Sequence, residues 1–345
     1  MAARPAKILF ILFKYLGDVA VAIPAMRAVR AHDPDAEIHV LVAEDALPIV
    51  QHLPWITRAW GFPRKRGHAQ IRATLPLLAL LRRQHFSLSV DFVGNDRGAL
   101  VSLIVGAQKR VGLQAPLGFA GRRFCYTHPI DEKLLPITNV HESVRHAHLL
   151  QQLGIPLPES YELEVYADST HEKTASRLLA EGTVIGHLST SQPKKEWPVA
   201  CWLELYRRAT AAGVPFVFAS GPSEREQALI SELLAQEPAA PLLPPTPSLD
   251  LYLAVLRRAR VFIAGDTGPL HFAAGLRVPT IALFAATDAT RWAPIGPQHR
   301  LVQGERSCVC SGHAHRCQQP PIHCMRSISI ASAWESLRSI LNSAH

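Results

Sequence analysis

A chain of 345 residues is longer than one hydrophobic core usually serves, so two domains are expected. The formal net charge of +8, from 36 Lys and Arg against 28 Asp and Glu, points to an anionic partner. No window of about eighteen uninterrupted apolar residues exists, which excludes an ordinary spanning helix, and the start runs into an apolar strand without a small-residue cleavage site. A cytoplasmic protein is therefore expected. Six cysteines, four of them between 308 and 324, speak against a disulfide framework and leave metal ligation or reduced thiols.

In chain order, residues 7–13 are continuously apolar and read as a buried parallel strand. The strand ends at Lys14-Tyr15-Leu16-Gly17-Asp18 before a helix over 19–31, in which Pro24 is read as the first turn of a new helix. A strand over 38–43, a short helix near 44–52, a strand over 56–61, a helix over 70–84, a strand over 87–93 and a helix over 97–106 follow. Such alternation implies right-handed βαβ units and a parallel sheet covered on both faces. After a helix over 141–153, Gly154-Ile155-Pro156-Leu157-Pro158 is the most linker-like segment, and the boundary falls within 154–170, giving a first domain of 1–160.

The rhythm recurs over 161–328, without sequence repetition. Helices are expected over 171–181, 199–212, 222–236, 249–258 and 269–275, and strands over 183–189, 214–219, 260–265 and 278–284. A last helix over 329–343 is expected to pack back on the first domain. The fold class is α/β with two Rossmann-like domains.

The segment Val261 to Gly275 runs from an apolar strand through Asp266-Thr267-Gly268 into a helix with His271 on its first turn. A fresh helix N-terminus presents unpaired amides backed by the positive end of the dipole, which suits an anion such as a diphosphate. The alternative is an ordinary turn with Asp266 as N-cap. Asp18 stands at the carboxyl end of the first strand, the edge where open α/β sheets bind ligands, and no G-x-G-x-x-G dinucleotide fingerprint accompanies it. It reads as a base or as a helix cap. The strand over 183–189 delivers Ser189 and Thr190, then Lys194 and Lys195, to the matching edge of the second sheet.

Basic residues cluster at Arg58, Arg64-Lys65-Arg66, Arg72, Arg82-Arg83, Lys109-Arg110 and Arg122-Arg123. They are either solvated faces or a track for an acidic partner. Nucleic acid is the generic candidate, but interleaved stacking aromatics and helix-turn-helix, RNA-recognition and zinc-finger patterns are lacking. Cys308, Cys310, Cys317 and Cys324, with His313, His315 and His323 among them, are dense enough for a closed structural metal site, or are reduced thiols packing a hinge.

Taken in order, these pieces carry a resemblance. They are Lys14-x-x-Gly17-Asp18 with Pro24, Asp91 to Arg97 followed by Gly106 to Gly112, and Lys195-x-Trp197-Pro198. Asp266-Thr267-Gly268-x-x-His271, Val278-Pro279-Thr280, Thr287-Asp288 and Cys324-Met325 complete the set. Over nearly its whole length the chain resembles glycosyltransferase family 9, the ADP-heptose-dependent heptosyltransferases of lipopolysaccharide core assembly. The resemblance implies two Rossmann-like domains facing a central cleft, the glycosyltransferase-B architecture.

It further implies inverting transfer of heptose from ADP-L-glycero-D-manno-heptose to an acidic lipopolysaccharide inner-core acceptor at the inner-membrane surface. Asp18 matches the catalytic base. Lys195, chosen over Lys194 because Trp197-Pro198 fixes the register, matches the phosphate-binding lysine. Ser189, Thr190, Asp266, Thr267, Gly268 and His271 join it at the donor, with Glu224, or alternatively Glu226, on the ribose. Such a cationic cradle replaces a metal ion at the leaving group, so no cofactor is required for catalysis, while the tail keeps a structural zinc or iron as an option. Arg64, Lys65, Arg66 and Arg97 are assigned to the acceptor. The alternatives are a same-fold transferase using another nucleotide sugar or a protein acceptor, and a nucleic-acid-binding protein with a zinc-knuckle tail.

Overall fold

The computed structural model describes residues 5–65, 68–69, 71–114, 118–136, 139–304 and 324–343. The chain divides into two compact units, Met1–Tyr161 and Glu162–His345.

The first unit runs β1 (Lys7–Leu12), α1 (Leu16–His32), β2 (Glu37–Ala43), α2 (Leu47–Val50), β3 (Arg58–Phe62), β4 (Arg64–Lys65), β5 (His68–Ala69) and α3 (Ile71–Arg82). It continues with β6 (Leu88–Asp91), α4 (Asp96–Val105), β7 (Lys109–Gln114), β8 (His128–Asp131) and α5 (Glu142–Gln151). Six strands form a parallel sheet in the order β3-β2-β1-β6-β7-β8. β1 is central, with Phe10 level with Val40 on one side and Val90 on the other, and its residues Leu9, Phe10 and Ile11 are fully buried. Burial on both faces is why that stretch is apolar throughout rather than alternating.

Two features depart from the sequence reading. Pro24 lies inside one continuous helix, α1, and does not open a second. A proline here forfeits the bond to the carbonyl four residues back, but nearly all of the helix from Gly17 to Val29 is buried, and packing on that scale outweighs one lost bond. Strands β7 and β8 were not legible. β7 gives up a side chain at Gly112, where a Cβ would lie 2.2 Å from the Tyr126 ring, and β8 is a short edge strand containing Pro129.

The second unit runs α6 (Glu172–Leu178), β9 (Val184–His187), α7 (Val199–Ala211), β10 (Phe216–Ala219), α8 (Glu224–Gln236) and α9 (Leu249–Leu256). Then come β11 (Val261–Gly265), α10 (Gly268–Gly275), β12 (Thr280–Phe284), α11 (Ala289–Trp292), β13 (Arg300–Gln303) and α12 (Ile330–Asn342). Its five strands are parallel in the order β10-β9-β11-β12-β13. Trp202, Phe216, Phe218, Ile263 and Leu283 form the core together with Trp197, which packs edge-on against Trp202.

The last helix is anchored in the second unit. Ala333, Leu337, Ile340 and Leu341 of α12 bury in this same second-unit core, and Arg260 donates to the Leu341 carbonyl at 2.9 Å. The amphipathic stripe is used inside its own unit.

In both sheets the chain reverses direction of growth beside a central strand, between β1 and β6 in the first and between β9 and β11 in the second. Carboxyl ends of strands at such reversals leave a crevice that neighbouring loops do not fill, and ligands bind there.

Candidate functional site

In the first unit the loop after β1 carries Lys14 and Tyr15 and turns into α1 at Leu16. Tyr15 is the N-cap residue and makes no side-chain cap, so the alternative reading of Asp18 as cap fails. Asp18 sits in the first helical turn, nearly buried, with its Oδ1 2.7 Å from Lys14 Nζ. The ammonium comes from the loop after β1 and the carboxylate from the first turn of α1, both at the carboxyl edge of the sheet. Across the strand reversal, Asn95 caps α4 by accepting from the Gly98 amide at 2.9 Å and donates to the Phe13 carbonyl at 2.8 Å, which ties the two loops together.

Beneath Asp18 lies a group the sequence did not single out. α5 packs on α1, and its His146 is buried against the Phe92 ring at 5.1 Å, with Nε2 3.9 Å from Glu142 Oε1. Burial drives the His146 pKa down to about 4, against the opposing charge of Glu142; Lys14 and Asp18 are near enough to act on it as well. Arg145 donates to Glu142 and Glu132. Asp91 is buried too, accepting from the Val93 and Gly94 amides at 3.0 Å and from the Tyr126 hydroxyl at 2.7 Å. Burial raises its pKa, opposed by the Tyr126 bond. Gly98 has to be glycine, since a Cβ there would stand 2.1 Å from Asp91 Oδ2. Asp91 holds the β6 turn and offers no free oxygen to a ligand.

Of the residues assigned to an acceptor, Arg64 and Lys65 form strand β4, which pairs antiparallel with β5 and follows the carboxyl end of β3, the edge that also carries Asp18. Arg66 lies outside the described residues. The Arg97 guanidinium sits 5.9 Å from the ring centres of Phe13 and of Phe62, next to the same edge.

In the second unit Lys195 and Asp266, 71 residues apart, meet at the strand reversal: Nζ lies 2.7 Å from Oδ2. The close approach needs Gly265, because a Cβ there would be 2.6 Å from the Lys195 carbonyl oxygen. His271, buried on α10, places Nε2 3.9 Å from the other Asp266 oxygen. The N-cap of α10 is Thr267, again without a side-chain cap, so Asp266 is not the cap either.

The first turn of α10 is poorer in donors than the sequence implied. Pro269 has no amide hydrogen, and the Leu270 amide turns back to the Thr267 carbonyl at 3.2 Å. That leaves Gly268 as the first-turn donor. An anion here would depend on Lys195 and His271 more than on the helix terminus.

The two hydroxyls after β9 are already committed. Ser189 donates to Glu226 Oε1 at 3.0 Å and accepts from the Gly221 amide at 2.8 Å, and Thr190 donates to the Gln192 carbonyl at 2.6 Å. These bonds shape the loop that follows β9. Glu226 is also engaged, completing a capping box with Ser223 at the start of α8, whereas Glu224, two residues earlier in the same first turn, is exposed.

Glu196 and Arg225, missed in the sequence, clamp the same loop. Buried Glu196 accepts from the Thr190 amide at 3.1 Å and from Arg225 Nη1 at 2.6 Å, while Arg225 Nη2 donates to the Thr190 carbonyl. Their only sequence signal was position: one follows Lys195, the other Glu224. Further along β9 the buried His187, driven to a pKa of about 4 by burial, lies 3.4 Å from both Ser189 Oγ and Tyr252 Oη.

Of the tail cysteines, Cys308, Cys310 and Cys317 lie outside the described residues. Cys324 is half-buried and packs against the second-unit core. Among the described residues no three His, Cys, Asp or Glu side chains gather as a metal site, and no helix is long and apolar enough to cross a membrane.

Comparison with known proteins gives a consistent picture. The model of glycosyltransferase family 9 (heptosyltransferase) matches residues 75–320. Lipopolysaccharide heptosyltransferase 3 of Escherichia coli (strain K12) is 27% identical over 292 residues, covering 81% of this chain and 83% of that protein. Among solved structures, the glycosyl transferase family 9 protein from Veillonella parvula superposes with a TM-score of 0.84 at 17% identity, covering 99% of both chains. The E. coli heptosyltransferase WaaC with ADP-2-deoxy-2-fluoro heptose superposes with a TM-score of 0.69 at 17% identity, covering 98% of this chain and 100% of that one.

Proposed function

Because the chain belongs to glycosyltransferase family 9, the heptosyltransferases, we propose that it transfers heptose from ADP-L-glycero-D-manno-heptose to an acidic lipopolysaccharide inner-core acceptor, with inversion at the anomeric carbon. The observation that carries this reading is the meeting of Lys195, Asp266 and His271 at the strand reversal of the second unit. A lysine and a histidine held at a ligand edge suit a leaving nucleoside diphosphate.

The chemistry balances simply. Asp18 takes the proton of an acceptor hydroxyl as its oxygen attacks the anomeric carbon; the bond from that carbon to the diphosphate oxygen breaks, and ADP departs with the electron pair. One displacement inverts the configuration. Lys195 and His271, with the Gly268 amide, stabilise the charge growing on the diphosphate, and Asp266 holds Lys195 ready. Exposed Glu224 is the carboxylate for the ribose hydroxyls, since Glu226 is engaged in its capping box.

Arg64, Lys65, Arg66 and Arg97 are assigned to the carboxylates and phosphates of the acceptor, and the proposal has the enzyme work in the cytoplasm at the inner-membrane surface, without a nucleic acid partner. Ser189 and Thr190 serve the donor through the loop they shape. Cys308, Cys310, Cys317 and Cys324 are proposed as ligands of a structural zinc or iron; four thiolates close a tetrahedral shell and leave no position for substrate. Calorimetric titration tests the donor assignment: ADP should bind and UDP and GDP should bind far more weakly. Preference for UDP would sink it.

A further inference from the structure

α3 and α4 pack together on the first sheet, where Leu78, Leu81, Val101 and Val105 share one buried cluster with Leu9 and Ile11 of β1. A helix that has buried one apolar stripe in this way normally turns a polar face to water. These two do not. Leu75 on α3 is 62% exposed, and Leu80, Leu100, Leu103 and Ile104 are 42–47% exposed. Leu100, Leu103 and Ile104 stand at i, i+3 and i+4, hence on one side of α4.

The charges on this stretch of chain are predominantly of one sign. Residues 71–90 contain no Asp or Glu, and the acids in 71–114 are Asp91, which is buried, and Asp96, which is ion-paired with Arg122 at 3.0 Å. Arg72 lies in the first turn of α3, Arg82 ends it and Arg83 follows. Arg82 also bridges the helices, donating to the Ile104 carbonyl at 2.8 Å. Large exposed aliphatics rimmed by arginine are uncommon on a face destined only for water.

We propose that this face docks the first unit on an anionic phospholipid bilayer, the leucines entering the boundary between headgroups and acyl chains and the arginines pairing with lipid phosphates. Charge decides between occupants: a second copy of the chain on the same patch would set arginines against arginines, whereas an anionic surface complements every rim residue. The proposal rests on the proposed function only for the expectation that a lipid-borne acceptor brings the enzyme to such a surface. The face is argued from its own residues.

Flotation of the full chain with vesicles of phosphatidylglycerol and phosphatidylethanolamine, beside vesicles of phosphatidylcholine alone, tests it without donor or acceptor. Binding should favour the anionic vesicles and weaken as salt rises. Arg83→Gln should lower it by about fivefold, and the pair Leu75→Gln with Leu103→Gln by on the order of tenfold or more. Both sites are exposed, and an unchanged circular dichroism melt confirms folding of the variants. Equal binding to both vesicle types, or binding indifferent to the leucine changes, overturns the proposal. So does a concentration-dependent dimer that the leucine changes dissolve, which would give the face to a second copy. Vesicle binding as expected from a protein without transferase activity would keep this inference and remove the proposed function.

Discussion

Lys195 Nζ and Asp266 Oδ2 lie 2.7 Å apart, joining the turn after β9 to the turn after β11 although 71 residues separate them in sequence. On the proposed function a diphosphate arriving here would compete with a carboxylate for the same ammonium, so the pair would set both the affinity and the charge of the site. Lys195→Ala should weaken ADP binding by on the order of ten- to a hundredfold. It also leaves Asp266 bare beside the diphosphate, so adding Asp266→Asn should recover part of the loss. Titration calorimetry on the two variants checks this; an unchanged ADP affinity in Lys195→Ala would move the phosphates elsewhere.

The Glu196 and Arg225 clamp holds both backbone groups of Thr190 within the loop that presents Lys195. Neither residue is assigned a contact with the reacting atoms, so Arg225→Ala should raise the donor KM by about fivefold while leaving kcat nearly unchanged. Arg225→Lys should restore part of the affinity. Equal loss in kcat would make Arg225 part of the transition-state machinery instead.

Much of this was legible in advance, and the failures have physical causes. The strand and helix rhythm, the positions of Asp18 and Lys195 and the turn at Asp266 follow from local patterns. The pairing of Lys195 with Asp266 does not, because it depends on β9 and β11 becoming neighbours with the later strand inserted beside the earlier one. The bonds of Ser189 to Glu226 and of Thr190 to the Gln192 carbonyl likewise become visible only once the loop is folded. Pro24 misled because a local helix rule yielded to burial.

His146 and His187 are held neutral by burial, each with a pKa near 4 against an ordinary value of 6.5. The unfolded chain binds protons that the folded chain excludes, so the stability these residues lend is present above about pH 6.5 and is lost as the pH falls towards 4. Urea midpoints should fall over that window, and His187→Asn should flatten the slope whatever it does to absolute stability. A slope identical in variant and parent would contradict the burial argument.

The tail and the reaction are separable in this account. Removing metal with a chelator should lower the melting temperature if the four cysteines hold an ion, yet leave turnover unchanged at a temperature where the protein stays folded. Metal analysis of the purified protein goes with the measurement. Activity lost to chelator and restored by magnesium would assign a metal to the transfer itself.

Heptosyl transfer with Asp18 as base is tested directly by a mass-spectrometric transfer assay with ADP-heptose and an inner-core acceptor. The parent enzyme should add one heptose to the acceptor and release ADP, while Asp18→Asn should turn over slower by on the order of 10² or more with ADP affinity nearly intact. An acceptor of unchanged mass under the parent enzyme, or full turnover by Asp18→Asn, would contradict the account.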